Sequence, residues 1–138
     1  MSIKLTPQIK TYASEVANIG GCMKTTADKF GVAAERKVND IDGIKRKREE
    51  YLVLLKEFES QKETLVKLNA PTLLEKEHEQ LLISFIKYVA ATEKAISSLD
   101  IENVKTDENL LREAQDLQWE ASREIVQISN AMANKLGI

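Results

Sequence analysis

Apolar residues recur at three- and four-residue spacing along nearly the whole chain, and that period is one an α-helix can bury and a strand cannot. From Ile9 the first stripe runs through Tyr12, Val16, Ile19, Met23, Ala27, Phe30, Ala34 and Val38. A second resumes at Ile44 and continues through Tyr51, Leu54, Leu55, Phe58, Leu65 and Leu68. A third carries Leu74, His78, Leu81, Phe85, Tyr88, Thr92 and Ile96, widened by Leu82 and Val89. The last holds Leu110, Ala114, Leu117, Ala121, Ile125, Ile128 and Met132 and reaches Leu136.

Punctuation between the stripes is sparse. With 5 Gly and 2 Pro in 138 residues, the chain lacks the turn residues that an all-β fold needs. Thr6-Pro7 reads as an N-cap followed by proline at the first helical position. Asn39-Asp40-Ile41-Asp42-Gly43 reads as a turn, and Asn69-Ala70-Pro71 as a firm boundary, since proline inside a helix loses a hydrogen bond. Thr106 before Asp107 and Glu108 reads as the last N-terminus. These boundaries predict one domain over residues 1–138: an all-α, up-down-up-down four-helix bundle with helices of ~26–33 residues. The alternative joins the first two stripes through Ile41 and Ile44 into a three-helix bundle with one very long helix. Gly20 and Gly21 interrupt the first stripe and predict close approach of a neighbouring helix, or a kink.

Composition narrows the function classes. Hydrophobic residues at 43% and charged residues at 30% argue against disorder, and a net charge of −2 gives no general pull toward nucleic acid. Charge is uneven: residues 1–69 carry 13 basic and 10 acidic side chains, residues 70–138 carry 7 and 12. That contrast predicts weak, salt-screened attraction between the first hairpin and the second. One cysteine, Cys22, implies no intramolecular disulfide, and no run is long and apolar enough to span a bilayer. The residues from Met1 lack a signal-peptide apolar core, so the expected compartment is cytoplasmic, with an exported or cell-envelope protein lacking its signal as the alternative.

No residue set carries recognisable chemistry. Glu75 and His78 share the Glu-x-x-His spacing of di-iron bundles, but such centres need two copies and this chain has 1 His. The plain reading is a histidine at the core's edge; the functional one is a small-ligand or metal-binding bundle using the His78 end. Lys45-Arg46-Lys47-Arg48 is the densest basic run, and Glu49-Glu50 follow it at once. Pairs at i,i+4, Lys45–Glu49 and Arg46–Glu50, predict a solvated helix face and no nucleic-acid contact. Cys22 lies mid-helix and His78 near a helix start, so the two are not expected to meet as a nucleophile–base pair.

Trp119 is the main residue outside the stripes. It points away from the Leu117–Ala121–Ile128 face, with Val126 seven residues on and Arg112 seven before, and these three form the candidate partner surface. The plain reading is a tryptophan folded over a neighbouring seam.

The segment from Leu65 through Asn69-Ala70-Pro71 to His78, Leu82, Phe85 and Tyr88 resembles a pattern in small all-helical proteins of Gram-positive bacteria, many of them exported or lipid-anchored. There a helix ends in a hydrophobic-Ala-Pro turn, and a histidine and an aromatic follow on the next helix. The resemblance implies a helical bundle and supplies no site residues. The expected function is a non-enzymatic interaction or scaffold protein without cofactor, docking a protein partner or self-associating.

Overall fold

Three of the four α-helices start where a side chain satisfies a free N–H group; the exception is the helix that follows Pro71, which has no side-chain cap. In the computed structural model, which describes residues 4–138, Thr6 Oγ1 accepts from Ile9 N–H at 3.2 Å and Pro7 opens α1 (Pro7–Glu35). Asp40 Oδ1 accepts from Gly43 N–H at 2.7 Å and opens α2 (Ile41–Lys67). The turn is residues 36–40, so Ile41, Asp42 and Gly43, expected in the turn, instead open α2, and the long merged helix of the three-helix alternative is not formed. Pro71 precedes a single 3-10 turn, Thr72–Leu74, that leads into α3 (Glu75–Ser97). The link to α4 is more ordered than a polar loop: β1 (Leu99–Asp100) and β2 (Lys105–Thr106) pair antiparallel, Leu99 opposite Thr106. Because Thr106 is engaged in that ladder, the cap of α4 (Glu108–Leu136) falls to Asp107, whose Oδ1 accepts from Leu110 N–H at 3.1 Å. Gly137, at φ 73°, closes α4 in the left-handed conformation that glycine adopts without strain.

The result is an all-α, up-down-up-down bundle in which each helix packs on the next, α3 against α4 most closely. Alanines allow that approach: Ala91, Ala95, Ala114 and Ala121 are all buried. Two apolar clusters stack along the axis. One is centred on Tyr12, Phe58, Leu65, Phe85 and Tyr88, with Phe58 and Tyr88 edge to face at 4.9 Å. The other holds Phe30, Ile44, Tyr51, Leu99 and Leu111, with Phe30 and Tyr51 stacked at 4.4 Å.

Two expectations are corrected. In α4 the core row runs through Leu111, Ala114, Gln118 and Ala121, so Leu117 is left 42% exposed. Gly20 and Gly21 do not interrupt α1 and admit no close neighbour; a Cβ on either would meet nothing within 4 Å. The charge contrast between the halves places no ion pair between them among the described residues. Among the described residues, all five ion pairs lie within a hairpin: Lys29–Glu57 and Arg36–Glu50 join α1 to α2, and Lys87–Glu124, Lys94–Glu113 and Lys135–Glu77 join α3 to α4. The hairpins meet instead through apolar packing of α2 on α3. No helix among the described residues is long and apolar enough to cross a membrane.

Candidate functional site

Trp119 and Val126 stand on the outside of α4, 63% and 55% exposed. With Ser122, Arg123 and Gln127 they line a shallow depression of about 280 Å³. The Arg123 guanidinium lies over the indole, 4.8 Å from its centroid, so one face of the ring is covered by its own helix. Arg112 is exposed but does not line this depression. Arg123 is the residue missed; its i,i+4 spacing from Trp119 was the available signal.

His78 is buried at the start of α3, where its Nδ1 lies 2.7 Å from Tyr12 Oη of α1. Burial lowers the pKa of His78 and, with the charge of Glu77, raises that of Tyr12 to about 12, so each favours its neutral form. Next to it, Glu77 pairs with Lys135 at 2.6 Å, and Lys135 also donates to Leu73 O. Glu75 is exposed. Among the described residues, no three His, Cys, Asp or Glu side chains converge where a metal ion could be held. Cys22 is exposed and sits ten residues beyond Tyr12, ~15 Å along α1, so it does not meet His78. A pocket of about 230 Å³ opens beside Tyr12 between α1 and α4, walled by Val16, Gly20, Met132, Ala133 and Leu136.

The basic run is divided by the fold. Lys47 turns inward, 6% exposed, and its Nζ donates to Ala34 O at 3.1 Å and Arg36 O at 2.9 Å, holding the end of α1. The expected i,i+4 pairs do not form; Glu50 is taken by Arg36 from across the α1–α2 seam.

That seam carries a large concave surface that the spacing of apolar residues does not reveal. Two cavities of about 930 and 780 Å³ share Thr25, Lys29 and Glu57, and so form one groove along α1 and α2. Ile19, Ala33 and Leu54 form its floor from the core side, while Val32 and Val53 line it at 63% and 60% exposure. The lower half is walled by short side chains, among them Cys22, Thr25, Ser60 and Thr64, which is why it stays open. There Gln61 Nε2 donates to Thr26 Oγ1 at 2.9 Å, and Thr26 to Cys22 O at 3.0 Å. Charged rungs of opposite sign cross the groove: Lys29 to Glu57 at 3.6 Å, Arg36 to Glu50, and Glu15 with Lys67 lining its lower end. The signal for Val32 and Val53 was the one used for Trp119, apolar residues outside a stripe.

Comparison with family models, with curated proteins and with solved structures finds no match to this chain.

Proposed function

We propose that this bundle is a non-enzymatic protein-interaction module that docks its partner along the α1–α2 groove. The observation that carries the reading is that Val32 and Val53 are both exposed in one large cleft, bracketed by charged rungs. An apolar centre within a polar rim is the anatomy of a protein interface. The Trp119–Val126 surface, part of the sequence expectation, stands second because Arg123 already covers the indole. The non-enzymatic part is supported by the buried titratable groups. Tyr12 and His78 engage each other, and Lys47 is bound to backbone carbonyls.

A photo-reactive amino acid placed at Val53 tests this in the producing cell, with Ile83 on the outer face of α3 as the comparison site. Cross-links should form from position 53 and be lost when Val32→Lys is added. Equal labelling from both positions, or none from 53, overturns the reading.

A second reading, a small apolar ligand held at the His78 end, is favoured by one observation: the pocket between α1 and α4 is lined almost entirely by apolar side chains beside Tyr12. Octanoate titration during thermal melting tests it. A ligand at a hundredfold excess over its dissociation constant adds about 2.7 kcal/mol, and Ala133→Phe should abolish the gain.

A further inference from the structure

The rungs of the groove have a symmetry that identifies an occupant. Reading up α1, the charged positions that stand across from a charge on α2 are Glu15, Lys29 and Arg36, opposite Lys67, Glu57 and Glu50; Asp28, Arg46 and Glu49 line the groove as well. Each of these three rungs joins opposite signs, and along them the order of signs on α1 is the inverse of that on α2. A partner helix of a single charge would match one rim and be repelled by the other. The surface that matches both is this same surface, turned by 180° about an axis lying along the groove.

We propose that the groove docks a second copy of this chain through such a two-fold axis, an inference that rests on the groove reading above. The rotation lays α1 of one copy over α2 of the other at the same height and antiparallel to it. Lys29 then faces Glu57 of the second copy, Arg36 faces its Glu50, Glu15 faces its Lys67, and Val32 meets its Val53. The contact is isologous, so each of these occurs twice and the assembly closes as a dimer. A two-fold axis across the helices is disfavoured on the same grounds, because it stacks Glu57 near its own copy at the centre of the face. The area is sufficient. Two helices ~40 Å long and ~10 Å apart present about 800 Å² per copy, the half-share of a standard stable interface.

Sedimentation equilibrium on the full chain, from about 1 µM to about 1 mM, tests the proposal. The wild type should sediment as a dimer at the upper concentrations. Val53→Lys should weaken dimerisation by about tenfold or more, as the loss of one well-packed interface contact does. Glu57→Lys should also weaken it, and Lys29→Glu with Glu57→Lys should restore it, because the swapped rung is again complementary within and between copies. Trp119→Lys should leave dimerisation unchanged. Val53 and Glu57 are not core residues, and the far-ultraviolet circular dichroism of each variant checks that it folds. A wild type that stays monomeric throughout overturns the dimer, as does dissociation by Trp119→Lys but not by Val53→Lys. A monomer that still cross-links a different protein from position 53 retains the groove as a docking face and overturns only the second copy. A monomer with no cross-link overturns both.

Discussion

Gln118 Nε2 donates to Thr92 Oγ1 at 3.0 Å across the α3–α4 seam, and Thr92 in turn donates to Tyr88 O at 2.9 Å. Gln118 is 7% exposed and Thr92 fully buried, so the tightest helix pair is joined by a polar chain inside its core. Such a chain is costly to break from one side only, because the group left behind has lost its water as well as its partner. Thr92→Val should cost about 1–3 kcal/mol by stranding the Gln118 amide, whereas Thr92→Val with Gln118→Leu should return near the wild type. Urea unfolding of the four-member cycle measures the coupling. Additive single effects would show that the two side chains do not depend on each other.

The same residue shows where sequence periodicity stops being informative. Leu117 and Gln118 are neighbours, and both fit a helical stripe through Ala114 and Ala121; hydrophobicity selects the leucine. The fold selects the glutamine, because Thr92 offers a buried oxygen opposite that position, and the spacing within one helix carries no record of the facing layer. Boundaries were legible to within a few residues because they are written locally: Thr6 caps α1 through an N–H three residues on, as expected, whereas α4 is capped by Asp107, one residue past the expected Thr106. The groove was not legible. It depends on which side chains of α1 stand across from which of α2, and on the shortness of Ser60 and Thr64, which means nothing until the helices are paired.

Lys47 makes a sharper case than its basic neighbours. Its ammonium is held by two carbonyls at the end of α1, and burial lowers its pKa. Lys47→Met keeps the length of the chain but leaves Ala34 O and Arg36 O without their donor, and should destabilise the fold by about 1–3 kcal/mol. Lys45→Met, on the exposed side of the same helix, should change stability by less than about 0.5 kcal/mol. Equal effects in thermal melts would mean that Lys47 acts only through net charge.

Stability should fall as pH drops below neutrality, through His78. Its folded pKa lies beneath the ordinary 6.5, so the unfolded chain takes up the proton first. The contribution is fully present above 6.5, declines as pH falls through that value, and levels once pH is below the folded pKa. His78→Gln should remove this slope between about pH 7 and 5 in urea titrations. A second loss lies lower. The hydrogen bond from Lys135 holds Glu77 below its usual 4.5, and hydrogen bonds from Ser84 and Lys87 do the same for Glu124. Their stabilisation is present above 4.5 and is lost as pH falls through the folded values, unaltered by His78→Gln. An unchanged slope near neutrality in that variant would assign it to another group.

Gly20 and Gly21 lie inside an unbroken helix with open space where each Cβ would be. Glycine there gives up more backbone freedom on folding than alanine and contributes no packing in return. Gly20→Ala and Gly21→Ala should therefore each stabilise by about 0.5–1 kcal/mol, raising Tm by roughly 2–4 °C apiece. Gly137→Ala should move the other way by about 1 kcal/mol, since φ 73° is a conformation that a Cβ opposes. The contrast separates two uses of one residue type by direction of shift, with no change of fold required. Gly20 also borders the pocket between α1 and α4, where added methyl groups meet no resistance within a single copy. A fall in Tm for Gly20→Ala would contradict the open space around that position.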